Sequence, residues 1–535
     1  MDILGRVKGP GEITQTFTFI TPDRYLSKIG EFIYYKEELD DKEYKVIGII
    51  NKRTIIKIIP DIFSSNPSIS PDCISFILGY KKSNPELYEI EVKIMGYFDK
   101  DLKSFINPRI SPVPGKPVYI VESDYLQEIL SDKKAGEPGS AKIGYLLTRQ
   151  KDEVPVILDV KEFVSTHLAI LAGTGSGKSY TAGVLLEELL KFYNRAAVLV
   201  IDPHNEYGTL GGIQDMKSYE NERYRPAVQI YKADKIKVRY SSLELSDIKY
   251  LLPNLTEKMN SYLNQAYRNM QKTLNLMNTK EWAIKDLINE LENMTEEEDS
   301  TVTALKWRLE SRLGKKLFDP NLEISLKEIF KPGKCSILQL DRVDIEDQQI
   351  VVATLLRRIN KARIDTTLGK TDSESENYIN YPVFILIEEA HRFGPANANI
   401  ITTNILKSIL AEGRKFGIGM GLISQRPGKL DSDMLSQCMT QIIMRIVNPI
   451  DQNSIAAGVE SIGRELLAEL PGLSKGQAII AGVSLNTPLL AQIRKRETSH
   501  GGQSFDAPLV WLNYEEDKAV YTGPKPPKQN GNIRI

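Results

Sequence analysis

Leu168-Ala169-Ile170-Leu171-Ala172-Gly173-Thr174-Gly175-Ser176-Gly177-Lys178-Ser179 runs four apolar residues into a turn with three glycines and a lysine. The apolar run has the length and composition of a buried strand. Val184, Leu185, Leu189 and Leu190 supply the apolar face of a helix that follows. A glycine-rich turn between strand and helix lets backbone N–H groups point inward at phosphate oxygens, and the helix adds its N-terminal dipole. The spacing is that of GxxxxGK[ST], with Ala172 at the first glycine position, where a small residue still permits the turn. Residues Gly173, Thr174, Gly175, Ser176, Gly177, Lys178, Ser179 and Tyr180 are therefore the expected nucleotide contacts. Lys178 is placed to reach the β- and γ-phosphates and Ser179 to ligate Mg²⁺, so ATP and Mg²⁺ are the cofactors this reading requires.

Outward from this loop the chain alternates strands and helices, the mark of a parallel sheet covered on both faces. Core strands are expected at His167–Leu171, Ala197–Ile201, Ser336–Leu340, Val383–Ile387 and Ile418–Ile423. The fourth delivers Glu388 and Glu389 at its C-terminal end, the edge where ligands of open α/β sheets gather. We assign Glu388 to the metal side and Glu389 to the base that polarises the attacking water. P-loop ATPases commonly carry Asp where Glu388 stands, and two solvated acids capping a strand would look the same. Between the second and third strands, Ile248, Leu251, Leu255, Met259, Leu263, Ala266, Met270 and Leu274 recur at helical spacing. Trp282–Met294 and Val302–Leu317 continue it, giving a helical insertion over 246–330. The acidic stretch Glu296–Asp299 reads as a solvated turn, and Thr366–Asn380 as a flexible loop.

The first 150 residues differ. Glu12–Thr21, Tyr44–Ile50 and Glu89–Tyr97 read as strands, punctuated by Pro10-Gly11, Pro22, Pro71, Pro108, Pro114-Gly115 and Pro138-Gly139, which suits a small β-barrel. Ser131–Ala141 reads as a loop or linker. The domain order is thus a barrel over 1–150, an ATPase core in two parts over 151–245 and 331–497 around the insertion, and an extension over 498–535. Gln477–Ala481 and Leu489–Ile493 form a hairpin in the second part. The polar tail from Thr498 has too little apolar content for a core of its own. Lys plus Arg total 69 against 70 Asp plus Glu, so any basic surface is local. Cys73, Cys335 and Cys438 lie far apart with four histidines in the chain, which argues for a reducing compartment and against structural zinc. Met1–Pro10 has no signal-peptide character and no apolar run approaches a membrane span, so a cytoplasmic location without membrane contact is expected.

The phosphate loop, Val200-Ile201-Asp202-Pro203-His204-Asn205-Glu206-Tyr207, Glu388-Glu389-Ala390-His391 and Ile423-Ser424-Gln425-Arg426-Pro427 together resemble the archaeal HerA DNA translocases, in the HerA/FtsK branch of P-loop ATPases. The likeness runs over most of residues 1–500 and includes the β-rich front domain. It implies a RecA-like core, a homo-hexameric ring moving on double-stranded DNA, and work with a NurA-type nuclease, docked through the front barrel, in resecting broken ends. It places Gln425 at a sensor position near the γ-phosphate. It also makes Arg414 the arginine offered to a neighbouring subunit's site, with Arg426 as competitor, the alternative being an arginine that stabilises a helix C-terminus through the dipole. Asp202 either supports the Mg²⁺ site or caps the turn at Pro203, and His204 reads as an ordinary loop histidine. Tyr207–Arg225 and Phe393–Asn404 are candidate DNA-contacting loops. Three alternatives stay open: a motor of the same fold threading another polymer, a monomeric nucleotide switch or kinase, and a scaffold whose nucleotide only holds a ring together.

Overall fold

A computed structural model describes residues 3–11, 15–23, 25–56, 87–294, 299–459, 462–501 and 507–512. Cys73, Pro71, Glu296–Glu298 and the tail beyond 512 lie outside the described residues.

The front domain is a twisted antiparallel sheet that closes on itself. Strands β1 (Gly5–Pro10), β2 (Thr16–Thr21), β3 (Phe32–Leu39), β4 (Lys42–Ile55), β5 (Tyr88–Asp99), β6 (Ser104–Ile106) and β7 (Pro117–Ile120) pair in the order β2-β1-β7-β3-β4-β5-β6. The further pairing of β2 with β5 makes a barrel of all but β6. Period-two alternation turns Phe17, Phe19, Ile33, Tyr35, Val46, Ile50, Ile90 and Val92 inward, and closure leaves no edge along these strands. Register shifts at Ile47/Gly48 and Ile50/Lys52 bend the long β4 around the barrel.

Helix α1 (Ser123–Leu130) leads into β8 (Ser140–Leu146) and β9 (Pro155–Asp159). The chain continues through α2 (Val160–Thr166), β10 (Leu168–Leu171), α3 (Lys178–Leu189), β11 (Val198–Asp202) and β12 (Ala227–Tyr231). β13 (Val238–Arg239) precedes the insertion, which holds α4 (Leu245–Leu251), α5 (Glu257–Leu276), α6 (Ile284–Glu292), α7 (Ser300–Leu313) and β14 (Phe318–Asp319), the partner of β13. After α8 (Leu326–Ile329) come β15 (Lys334–Gln339), α9 (Ile345–Thr367), β16 (Val383–Ile387), α10 (Thr403–Phe416) and β17 (Ile418–Ser424). Last are α11 (Ser432–Ser436), β18 (Thr440–Met444), α12 (Pro449–Gly458), α13 (Arg464–Leu467), β19 (Gln477–Gly482), β20 (Leu489–Ile493) and α14 (Ala507–Leu512).

The large sheet has the order β12-β15-β11-β16-β17-β10-β18-β19-β20-β8-β9. It is parallel from β12 to β18 and antiparallel from there to β9. All five expected core strands are present, as is the hairpin β19–β20. Two parallel strands, β12 and β18, were not foreseen: β12 is a half-exposed edge strand, and β18 opens with Thr440 and Gln441, which are buried only because their neighbours cover them. β8 lies within the stretch read as front domain yet hydrogen-bonds to β20, so strand pairing passes the chain to the large sheet at Ser140. The loop expected from Thr366 starts inside α9, and Thr366 Oγ1 accepts the Ile379 N–H at 3.2 Å across it.

In the insertion, Pro253 and the left-handed Asn254 (φ 60°) break the helical pattern after α4. Thr256 then caps α5 through the Met259 N–H. Met259, Leu263, Ala266, Met270 and Leu274 face inward from α5, and Trp282 packs against Tyr240 with ring centroids 5.2 Å apart. No described helix is long and apolar enough to cross a membrane.

Candidate nucleotide site

β10 lies between β17 and β18, so the loop after it leaves the middle of the sheet at the C-terminal edge. The carbonyl of Arg445, just past β18, accepts the Gly173 N–H at 2.9 Å and the Ser176 hydroxyl at 2.9 Å. Gly476 N–H donates to Ser176 O at 3.2 Å from the other side. Gly175 (φ +78°) and Gly177 (φ +107°) hold conformations that residues with a Cβ rarely adopt, and Gly175 faces open space. Gly177 is the N-cap of α3. The loop is an open cradle of backbone donors at a helix N-terminus, which fits a polyphosphate.

Lys178 is buried beneath this cradle and is the cation between two buried acids. Its Nζ contacts Glu388 Oε1 and donates to Glu389 Oε1 at 3.2 Å. Glu389 adopts a left-handed backbone conformation (φ 50°) where β16 turns into the short helical turn Ala390–Arg392, a strained geometry for a residue with a Cβ. Its Oε2 accepts no hydrogen bond from the described residues, with His391 Nδ1 at 3.3 Å. Burial and the nearby Arg392 and Arg426 cations pull the His391 imidazole below its ordinary range, against the pull of Glu389. Glu206 Oε2 is buried without a hydrogen bond among the described residues. Burial raises the Glu206 carboxyl, while the Lys178 charge opposes the rise.

Ser179 and Glu388 are oxygen donors beside the loop, and Mg²⁺ takes such ligands together with waters and phosphate oxygens rather than a closed protein cage. The donor set therefore fits Mg²⁺ bound with a nucleotide. Among the described residues no cluster of three or more His, Cys, Asp or Glu side chains could hold a metal by itself.

The alternatives for Asp202 resolve towards the turn. Its buried carboxylate accepts the N–H groups of His204 (3.3 Å), Glu206 (3.0 Å) and Tyr207 (3.1 Å); burial raises this carboxyl and those hydrogen bonds oppose the rise. This folds the loop so that Tyr207, itself fully buried, donates its hydroxyl to Glu388 Oε2 at 2.5 Å. His204 is exposed on the same loop. Gln425 directly follows β17 and accepts the Thr174 hydroxyl at 3.1 Å, which brings it against the phosphate loop. Tyr180 turns the other way: its hydroxyl accepts the Arg496 N–H at 2.6 Å and its ring meets His500 edge-on at 5.8 Å.

The two arginines differ in place. Arg414 is exposed in the last turn of α10, which feeds the N-terminal end of β17; a seven-residue strand spans roughly 20 Å, so Arg414 stands at the opposite sheet edge from Glu389. Arg426 is exposed beside Gln425 at the near edge. Sequence reasoning passed over Tyr207 and Glu206, although both lie in the quoted motif after β11. An apolar-looking tyrosine and a loop acid carry no visible partner in one dimension.

A parallel sheet with this loop at its centre and two acids at the tip of the next strand but one defines a P-loop ATPase with a RecA-like core. A family model described as the central domain of helicase HerA matches residues 141–359. A probable helicase of Methanocaldococcus jannaschii is 30% identical over 419 residues, covering 76% of this chain and 75% of that protein. The DNA double-strand break repair helicase HerA of Pyrococcus furiosus is 28% identical over 540 residues, 92% of each chain, and that of Saccharolobus solfataricus is 27% identical over 78% of this chain and 80% of its own. The chain belongs to the HerA helicase family, as its motifs imply. Among solved structures, VirB4 of Thermoanaerobacter pseudethanolicus aligns with a TM-score of 0.49 at 14% identity, over 68% of this chain and 98% of that one.

Proposed function

We propose that this chain hydrolyses Mg-ATP to drive a hexameric ring along double-stranded DNA, acting with a NurA-type nuclease in resecting broken ends. The observation that carries the reading is the buried Lys178–Glu388–Glu389 cluster under an open phosphate loop, in a chain whose relatives are named DNA double-strand break repair helicases. Lys178 neutralises charge on the terminal phosphates, and a nucleotide must compete with both acids for it. Ser179 and Glu388 would hold Mg²⁺, which would supply further charge neutralisation when bound. Glu389, with one oxygen that accepts no hydrogen bond from the described residues, takes the proton of the attacking water. Gln425 senses the state of the phosphate loop through Thr174.

Arg414 supports a ring. It sits too far from its own site to act there, its guanidinium has no partner among the described residues, and it is exposed where a neighbouring subunit can meet it. The closed front barrel is the proposed nuclease dock, and DNA as substrate places the protein in the cytoplasm. The test is the ATPase rate against added duplex DNA, with mass measured in the same buffer. We expect stimulation by duplex and a mass near six chains with nucleotide. No stimulation at low salt, where phosphate contacts are strongest, would favour a motor on another polymer, and a monomer that turns over fully would overturn the ring.

A further inference from the structure

We infer that Tyr207 is a positioning residue that locks the metal-side carboxylate, so that Glu388 and Tyr207 work as a pair. This rests on the assignment of Glu388 and Ser179 to Mg²⁺. A glutamate has one more rotatable bond than an aspartate, and a metal ligand that wanders among rotamers binds weakly. Here the extra freedom is removed. Glu388 is fully buried, Lys178 contacts its Oε1, and the Tyr207 hydroxyl donates to its Oε2 at 2.5 Å.

Tyr207 is itself well held. Its N–H donates to Asp202 Oδ2 at 3.1 Å, and the residue has no exposed surface, buried within the apolar cluster that also holds residues of β11 and the P-loop helix. The buried loop acid Asp202 thus acts on the site indirectly, by setting where Tyr207 stands.

The experiment measures Mn²⁺ binding by electron paramagnetic resonance in the presence of a non-hydrolysable ATP analogue, for wild type, Tyr207→Phe, Glu388→Asp and the double variant. Melting temperature and analogue affinity in EDTA are followed alongside. Tyr207→Phe is expected to weaken Mn²⁺ about ten-fold while metal-free analogue binding stays unchanged and melting falls only by the loss of one buried hydrogen bond. In the Glu388→Asp background, where the shorter arm falls away from the hydroxyl, adding Tyr207→Phe is expected to cost less than about two-fold more. Wild-type Mn²⁺ affinity in Tyr207→Phe, or an equal loss in both backgrounds, overturns the pairing. Should Tyr207→Phe not fold, Glu388→Asp alone decides: it must weaken Mn²⁺, and undiminished affinity overturns the inference. Wild-type protein that binds the analogue but no Mn²⁺ refutes the metal assignment itself, and the pairing with it.

Discussion

Lys178 holds two buried carboxylates apart, so its removal acts on both the ligand and the resting site. We expect Lys178→Ala to lose nucleotide affinity together with activity, by at least about 100-fold, the scale of a charge-assisted contact of roughly 3 kcal/mol. Titration with a fluorescent ATP analogue checks this, and retained binding would remove the role given to the lysine. Glu389→Gln is expected to do the reverse. It keeps the shape and the contact with Lys178 but cannot take a proton, so binding should persist while turnover falls by roughly 10²–10⁴, as single-turnover kinetics would show.

The helix after the phosphate loop is anchored from behind by the segment that follows β20. Arg494 pairs with Glu187 at 2.9 Å and with Glu188 at 2.8 Å. Glu187, with no exposed side-chain surface, also accepts the N–H of Glu497 and both the N–H and hydroxyl of Thr498. Arg496 crosses α3 at Gly183, where a Cβ would stand 2.6 Å from its guanidinium carbon, so a larger residue there would have to displace the guanidinium. Glu187→Ala leaves two mostly buried arginines short of a counter-charge. It should cost about 3 kcal/mol, seen as a lower denaturation midpoint and faster tryptic cleavage after Arg494.

His167, between α2 and β10, accepts the Met420 N–H at Nδ1, 3.1 Å away, and burial depresses its pKa to about 4 from 6.5. Because the folded pKa lies below the unfolded one, the unfolded chain binds more protons between these values. The contribution is complete above pH 6.5 and is lost as pH falls towards 4, roughly 2 kcal/mol of it by pH 5. His167→Asn keeps an acceptor in place of Nδ1, and the loss of stability between pH 7 and pH 5 should shrink by about that amount in calorimetry.

At the scale of the whole molecule the residues proposed for catalysis are divided between two edges of the sheet. The phosphate loop, Glu389 and Gln425 occupy one edge and Arg414 the other, a separation that makes sense if hydrolysis happens between subunits. Mixing Arg414→Ala with Glu389→Gln should therefore restore part of the ATPase rate, since some interfaces combine an intact acid with an intact arginine. No recovery at any ratio would place the arginine's work within its own chain.

Local chemistry made the centre of this protein legible before any coordinates. A phosphate loop is a contiguous device, needing glycines, a lysine and a hydroxyl in fixed order, and a buried strand ending in two acids is contiguous too. Five of the parallel strands could be read for the same reason, because burial on both faces leaves an unbroken apolar run. What folding alone decided is what depends on distant segments meeting. β18 is buried by its neighbours rather than by its own composition, and β8 joins the sheet opposite β20 across more than half the chain. Asp202 uses its carboxylate on a turn, Tyr207 reaches Glu388 from 181 positions away, and Arg414 stands at the sheet edge remote from its own chain's phosphate loop. Sequence records which groups a segment carries, and the energy of a hydrogen bond or an ion pair depends on where the partner stands.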